Sequence, residues 1–486
     1  MTPLRVVFIA SEATPFAKTG GLADVAGSLP GALRRLNVDI RVVLPGYRQV
    51  FEHSSRQEPV WTNLNTWLGS QRLTFQVRKL SVENAVPIYV IDREDMFDRP
   101  HLYGNADGDY YDNAERFIFF CRAVVSLMHA WNFAPHIIHC NDWHTGLIPR
   151  YMQLEPAFRQ FKTLFTVHNL GYSGLFPSDK FALTGLDASH YQPNGLEFYG
   201  QWSMLKAGLI YSRAVSTVSP TYAREIQTPE YGKGLEGVLS NRQTSVFGLL
   251  NGVNYQQWSP ETDSFIPARY TPNDLSGKRI CKAALIQACQ LDERLMERPL
   301  IGIVSRLDVQ KGIDLIIPIL SELIDSLKVG LVILGTGDGM MQQQLQRAGE
   351  SYGGKFAFIQ RFDDELARQI LAGADMLLVP SRYEPCGLTQ LFAMKYGTIP
   401  VVRATGGLND TVSEVNEHTG DGTGFTFKHA DSTDCLTAIQ KAAGVYRTPL
   451  IWKRIQSNGM SMDFSWEKAA RNYLSLYQEL MMDSII

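Results

Sequence analysis

The sequence predicts an α/β protein of two or more domains, built from βα units around parallel sheets. Three observations carry this. The chain is 486 residues long, more than one hydrophobic core usually supports. Short apolar runs recur through the first half, each ending in a polar or glycine-bearing turn, which is the rhythm of βα units. The same rhythm restarts at Leu300, beyond Ser259–Ser276, a stretch rich in Pro, Thr and Asp that reads as the hinge region. The expected division is residues 1–250, 251–464 and a terminal segment 465–486. In open parallel sheets the loops at strand carboxyl ends face the ligand crevice, so residues just after predicted strands are the candidates for function.

Composition narrows the class. Hydrophobic residues at 45% and charged residues at 20% are ordinary for a globular protein. A net charge of -3 gives no reason to expect nucleic acid. The six cysteines are scattered without a CxxC pair, which favours reduced thiols over a disulfide framework or a zinc site. No apolar run approaches the roughly 20 residues of a membrane span. The first predicted strand begins at Leu4 and leaves no room for a signal or transit peptide, so a cytoplasmic protein is expected.

Leu4–Ala10 reads as a buried strand, followed by the turn SEATPFAKTGGLADVAGSL. Gly20 and Gly21 let the backbone come close to a ligand, and Lys18 puts a positive charge beside them. The spacing is not that of a nucleotide-triphosphate loop, and alone it reads as a surface turn. Asp39–Leu44 and Pro87–Ile91 are further strands. Glu115–Trp131 is a helix whose Phe117, Phe120, Cys121, Val124 and Met128 belong to the core. His136–Cys140 is a strand ending in Asn141-Asp142-Trp143-His144, and Thr163–Val167 one ending in His168-Asn169. A histidine after a buried strand is usually a satisfied structural group, which is the reading for His144.

In the second half the strand Leu300–Val304 runs into Ser305-Arg306-Leu307, and Lys311-Gly312 is expected to open a helix. Two cations so placed suit a diphosphate; a surface ion pair is the alternative. Gly330–Leu334 and Lys355–Gln360 are strands, the second followed by Arg361-Phe362-Asp363. Met376–Val379 enters a polar turn with Glu384 at its tip, Gly387–Tyr396 reads as a helix, and Ile399–Val402 as a strand that empties into Thr405-Gly406-Gly407. A glycine turn opening a helix offers backbone N–H groups to an anion, so Glu384 and Gly406-Gly407 are expected to look into one site. Trp466–Met481 has the pattern of an amphipathic helix.

The run Glu384–Leu391, EPCGLTQL, followed by TGGL at Thr405–Leu408, resembles the signature of the bacterial glycogen synthase and starch synthase family. KTGGLADV from Lys18, TVHN from Thr166 and SRL-x3-KG from Ser305 match further motifs of that family, and so do Gly195–Ser212 and Ala214–Leu239 nearly throughout. The resemblance implies the GT-B fold, two Rossmann-like domains facing a central cleft, with the terminal helix crossing back to the first domain. It implies a retaining glycosyltransferase that extends an α-1,4-glucan, glycogen or malto-oligosaccharide, from ADP-glucose, without a metal or other cofactor and without nucleic-acid or membrane partners.

The same resemblance assigns roles. Lys18, Gly20 and Gly21 lie by the donor's phosphates and sugar, with Asp24 in the same motif. His168 contacts the transferred glucose, and Asp142 stands near the acceptor hydroxyl. Arg306 and Lys311 neutralise the leaving diphosphate, and Glu384 orients the sugar. Cys386, Gly387, Leu388, Thr405, Gly406 and Gly407 belong to the donor-binding motifs, and Asn251 to a polar turn, FGLLNGVNYQQW. Four positions depart from the wider pattern. Asn254 replaces the usual aspartate. Arg361-Phe362 replaces a Gly-Tyr pair whose tyrosine stacks on the base. Phe392 stands where many retaining GT-B enzymes carry a second glutamate, an absence the glycogen synthase branch shares. Two rival functions remain open on sequence: another retaining GT-B transferase with a different donor or acceptor, and a non-catalytic glucan-priming scaffold. ADP-glucose and UDP-glucose are likewise not separated.

Overall fold

The computed structural model describes residues 3–54, 58–80, 86–105, 108–242 and 245–482. The chain forms two compact units, Met1–Gly252 together with Trp466–Ile486, and Val253–Ser465. It therefore passes between units at Gly252–Val253 and again at Ser465–Trp466. The stretch Ser259–Ser276, read as a hinge from its composition, is instead a packed part of the second unit. Ile266 and Tyr270 are buried against Cys281, Leu371 and Tyr396. Asp263 is buried too, bonded by Arg368 Nη1 at 3.1 Å and by the Tyr396 hydroxyl. An irregular segment anchored by side chains has the same composition as a linker.

The first unit is built on a nine-stranded sheet. Its strands are β1 (Leu4–Ile9), β2 (Val38–Pro45), β3 (Pro59–Leu68), β4 (Gln71–Leu80), β5 (Ile88–Asp92), β6 (Ile137–Asn141), β7 (Lys162–Val167), β8 (Ala214–Thr217) and β9 (Val246–Gly248). The order is β9-β8-β7-β6-β1-β2-β5-β4-β3. Seven strands are parallel, from β9 to β5. All five residues of β5 and of β6 are buried, as in a parallel sheet covered on both faces. The antiparallel hairpin β3–β4 extends one edge. Leu73, Phe75 and Val77 alternate inward along β4, a period of two that matches a half-buried strand. From β1 the chain goes first to β2 on one side and later to β6 on the other. The loops after β1 and β6 therefore flank the point where the strand order reverses, the usual ligand position in such sheets.

Trp466–Met481 is a helix of this unit. Its stripe Ala469, Tyr473, Leu476, Tyr477 and Leu480 is buried, as the amphipathic pattern requires. Tyr477 is fixed from the sheet side: its hydroxyl lies 2.7 Å from His139 Nδ1, and His139 Nε2 lies 2.7 Å from Thr166 Oγ1.

The second unit has a six-stranded, wholly parallel sheet. Its strands are β10 (Leu300–Val304), β11 (Gly330–Leu334), β12 (Phe356–Ile359), β13 (Met376–Val379), β14 (Ile399–Arg403) and β15 (Phe425–Phe427). The order β12-β11-β10-β13-β14-β15 is the doubly wound Rossmann order, with its reversal between β10 and β13. Ile301, Ile303, Leu331, Ile333, Leu378 and Val401 point into one continuous core. The predicted helix at Lys311-Gly312 is not an α-helix: short 3-10 turns run over Val309–Lys311, Ile313–Leu315 and Ile317–Ile319. Gly312 has φ +69°, and a Cβ there would overlap the Pro380 carbonyl oxygen. The chain is held in a left-handed kink against the loop after β13, which interrupts a regular helix.

Candidate active site

In the first unit the loop after β1 carries Lys18, Gly20, Gly21 and Asp24, the last three at the start of the helix Gly21–Arg35. Space is open beside Gly20 and Gly21, where an added Cβ would meet nothing. Lys18 Nζ lies 2.8 Å from Asp24 Oδ1, an exposed pair that neutralises part of the lysine's charge. The turn is shaped by a residue the motif reading passed over. Glu12 is 4% exposed; it accepts hydrogen bonds from Thr19 N–H (2.6 Å), Thr19 Oγ1 (2.6 Å) and Gly20 N–H (3.1 Å). Tyr103 donates its hydroxyl to the same carboxylate at 2.7 Å. A buried carboxylate satisfied by backbone N–H groups fixes the loop's path. Its only sequence signal is a carboxylate seven residues before Thr19 in the same turn.

The loop after β6 holds Asp142 at φ +56°, ψ 177°, a backbone region that side chains rarely adopt. The conformation aims Oδ1 at the His168 N–H, 2.7 Å away. Part of Asp142 stays exposed, but the surrounding protein strips water from it. Burial, with a smaller push from the Glu12 charge, raises its pKa to about 7 against the lowering effect of the His168 N–H.

His168 follows β7 and is buried, with Nε2 3.0 Å from Asn141 Oδ1. Asn141 in turn donates Nδ2 to the Ile9 carbonyl at 3.0 Å. That orientation makes Oδ1 the acceptor, so His168 Nε2 carries the hydrogen and Nδ1 keeps its lone pair. Burial lowers the His168 pKa to about 3, leaving the ring neutral near pH 7. Asn141 is thus the positioning residue for His168, which the sequence showed only as the neighbour of Asp142. His144 is buried between Trp143 and Tyr103 at ring distances of 3.9 and 4.6 Å; it packs as a structural ring, but neither ring nitrogen has a hydrogen-bond partner among the described residues, so it is not the satisfied group expected. Asn251 is buried in the same unit, with Oδ1 lacking a partner among the described residues.

In the second unit the loops after β10 and β13 meet at the reversal of strand order. Lys311 Nζ lies 2.7 Å from Glu384 Oε2, and Ser381 Oγ donates to the same oxygen at 2.8 Å. The side chains are 20% and 8% exposed, so the pair is shielded from water. Asp308 Oδ1 caps the Lys311 N–H at 2.9 Å, and Asp308 Oδ2 lies 3.2 Å from the exposed Arg306. Phe362 follows the edge strand β12 and is 88% exposed, an open aromatic face at a strand carboxyl end. Its neighbour Arg361 pairs with Asp363 at 2.8 Å, and Asp363 caps the next helix through the Leu366 N–H.

The glycine turn differs from expectation. Gly406 and Gly407 form the first turn of the short helix Gly406–Thr411. The Gly407 N–H donates to the Glu384 carbonyl at 3.0 Å and is engaged there, not presented to an anion. A Cβ at Gly407 would overlap the Cys386 carbonyl oxygen, so glycine is needed for the two loops to touch. Thr405 is fully buried beside it. Cys386 is buried as well, and its carbonyl accepts Gln390 Nε2 at 3.1 Å. Gly387 makes the turn between them, and Leu388 packs with Val253, Leu391 and Phe464. These residues build the loop that carries Glu384. Phe392 stacks on Trp258 at 3.9 Å, filling the place of the second glutamate with packing. Asn254 Oδ1 accepts the Gln256 N–H at 3.1 Å, a turn bond that an aspartate would make equally well.

Among the described residues one group of three possible metal ligands stands together, His429, Asp431 and Asp434. It caps the helix Ser432–Tyr446 and belongs to neither set of loops above. All six cysteines are free thiols. No helix among the described residues is long and apolar enough to cross a membrane.

Comparison with known proteins bears on both units. Residues 5–241 match the family described as starch synthase catalytic domain, and residues 292–443 that described as glycosyl transferases group 1. The chain is 41% identical over 477 residues to a glycogen synthase of Desulfatibacillum aliphaticivorans, covering 98% of each chain. It is 42% identical over 486 residues to a glycogen synthase of Anoxybacillus flavithermus, covering 99% of each. The fold is similar to the catalytic domain of starch synthase IV from Arabidopsis thaliana, solved bound to ADP and acarbose. That match has a TM-score of 0.88 and 32% identity, covering 99% of this chain and all of the other. With such likeness running through both sheets and their motif loops, the chain belongs to the glycogen synthase and starch synthase family of GT-B glycosyltransferases.

Proposed function

We propose that this member of the family uses ADP-glucose, adds glucose to the non-reducing end of an α-1,4-glucan with retention of configuration, and needs no metal. The observation that carries the reading is the Lys311–Glu384 pair at the reversal point of the second sheet, with Arg306 on the same loop. When the glycosidic bond to the diphosphate breaks, negative charge grows on the leaving group and positive charge on the sugar. Fixed cations aimed at the first are electrostatic stabilisation of the transition state. Arg306 supplies an exposed guanidinium, and Lys311 an ammonium held in place by Glu384. With the Gly407 N–H engaged by Glu384, these side chains carry the neutralisation in the proposal. Glu384 also balances the Lys311 charge, and its other oxygen is assigned to sugar hydroxyls.

His168 is assigned to the glucose as a neutral hydrogen-bonding group; a ring with a pKa of about 3 is a poor proton carrier near pH 7. Asp142, at about 7, is assigned to the acceptor hydroxyl, where it can hold or release a proton. Lys18 is assigned to the donor's phosphates, and Phe362 to the base. The ADP bound in the starch synthase IV structure supports an adenine nucleotide.

The test is incorporation of labelled glucose into glycogen from ADP-glucose and from UDP-glucose, each with and without EDTA. Incorporation from ADP-glucose should dominate, resist the chelator and yield product that an α-1,4-specific amylase digests. Equal or better use of UDP-glucose would overturn the donor assignment, loss of activity with EDTA the metal-free mechanism, and no incorporation from either donor the reading as a whole.

A further inference from the structure

One exposed ring of the first unit is held where the backbone resists a side chain. Glu197–Phe198 pairs antiparallel with Gln201–Ser203, and Tyr199-Gly200 makes the two-residue turn between them. Tyr199 has φ +49° and Gly200 φ +81°. Such a turn favours Asn-Gly, because a bulky side chain is strained at positive φ. The Tyr199 ring is 81% exposed, so packing offsets little of that cost. Backbone strain of this kind gathers at ligand clamps.

The turn is also rigid. Glu197 Oε1 accepts the Gly200 N–H at 2.7 Å, and Tyr191 donates its hydroxyl to the Gly200 carbonyl at 3.0 Å. The buried Lys206 donates Nζ to the carbonyls of Pro193 and Glu197, both at 2.6 Å. A second strained residue stands beside the first. Lys233 has φ +53°, and a Cβ on the next residue, Gly234, would come within 3.0 Å of the Tyr199 ring and 3.2 Å of the Phe198 ring. Glycine lets this second turn lie against the ring edges, while most of Tyr199 stays open.

The position of the hairpin says what covers it. Gln201–Ser203 pairs on its other side with Leu175–Pro177. Phe176 of that strand lies 5.3 Å from the buried Trp202 and 5.8 Å from Trp143, which directly follows Asp142. The small sheet is thus packed onto the loop whose Asp142 is assigned to the acceptor hydroxyl. A glucan leaving Asp142 across this sheet reaches Tyr199 two strands beyond Phe176. The C–H faces of a pyranose ring are apolar and slightly positive, and the negative face of an aromatic ring attracts them.

We propose that Tyr199 is a stacking platform for a glucosyl ring of the acceptor, away from the end that reacts. The inference rests on the glucan reading above and adds a specificity to it: long acceptors gain a contact that short ones do not reach.

Calorimetric titration of the full chain with maltoheptaose tests this, beside acceptor kinetics with maltoheptaose and maltotriose. The variants are Tyr199→Phe, Tyr199→Ala and Tyr199→Asn. The last two should weaken maltoheptaose binding roughly tenfold, the scale of one lost stacking contact, and raise its KM alike with kcat kept. Maltotriose should keep its KM, and Tyr199→Phe should behave as wild type. Asparagine suits the turn, so Tyr199→Asn should melt no lower than wild type, which loss of a purely structural ring would not allow. The proposal fails if wild type does not bind maltoheptaose or if the Ala and Asn variants bind it as tightly. It fails equally if maltotriose suffers as much, or if affinity falls only together with the melting temperature. A wild type that transfers no glucose would overturn the functional reading instead, and the titration would still decide the role of Tyr199.

Discussion

Glu384→Ala and Glu384→Gln separate what the Lys311–Glu384 pair does for the fold from what it does for the reaction. Although Glu384 sits in a loop, its carboxylate is 8% exposed and carries both Lys311 Nζ and Ser381 Oγ. Removing the carboxylate leaves an ammonium that is only 20% exposed without its counter-charge. Breaking a buried pair on one side costs about 3–5 kcal/mol, and the residual exposure of Lys311 puts this case near about 3. For a unit of this size that lowers the melting temperature by roughly 6–12 °C. Deleting both charges in Glu384→Ala/Lys311→Met should cost less than the two single changes together, with a coupling of about 1 kcal/mol or more. Turnover behaves differently. Glu384→Gln keeps the shape and should still lose about 10²–10³-fold in kcat, the effect of removing one electrostatic group from a transition state. The double variant should regain melting temperature and not activity. The assays are differential scanning calorimetry and glucose incorporation at saturating donor. Wild-type turnover in Glu384→Gln would refute the catalytic assignment, and strictly additive melting shifts would refute the pair itself.

Phe362→Ala removes an aromatic face that is 88% exposed and touches no core. Base stacking on such a face is worth about 1–3 kcal/mol, so the donor KM should rise about 5–150-fold with kcat nearly kept; a collapse of kcat at unchanged KM would contradict the stacking role. Acid should destabilise the first unit. Burial lowers the pKa values of His139, His144 and His168, the first and third to about 3, so their stabilising effect is present above the ordinary histidine value and lost as pH falls. Asp142, raised to about 7, runs the other way: its contribution is full below the ordinary carboxylate value and is lost as pH rises through its folded value. Between about pH 6 and pH 4 the lowered histidines outweigh the one raised carboxyl, so stability should fall as the medium is acidified; urea midpoints that stay level from about pH 7 to about pH 5 would contradict it.

The sequence by itself determined where most strands run and which loops carry the chemistry. Apolar runs such as Leu300–Val304 and Met376–Val379 are too short for a helix and are bounded by polar turns, so they read as buried strands, and the polar residues after them fall at carboxyl ends. The stripe at Trp466–Met481 likewise fixed a helix from its own period. Local composition went no further than local conformation. Ser259–Ser276 carries the residues of a linker and is held in the second unit by Arg368 and Tyr396, each more than a hundred positions away along the chain. Lys311-Gly312 has the look of a helix start, and it is the Pro380 carbonyl that denies a side chain at position 312.

Partners were decided only by the tertiary structure. Lys311 and Glu384 are 73 residues apart, and Asn141, which orients His168, is tied to the Ile9 carbonyl 132 residues away. The Gly407 N–H was legible as a donor but not as one already engaged by the Glu384 carbonyl. Burial acts the same way: whether His168 is neutral, or Asp142 holds its proton near pH 7, depends on how much water the surrounding chain excludes. A sequence lists donors, acceptors and charges one at a time. Hydrogen bonds and desolvation are properties of distances between them, and those distances exist only once the sheets have formed.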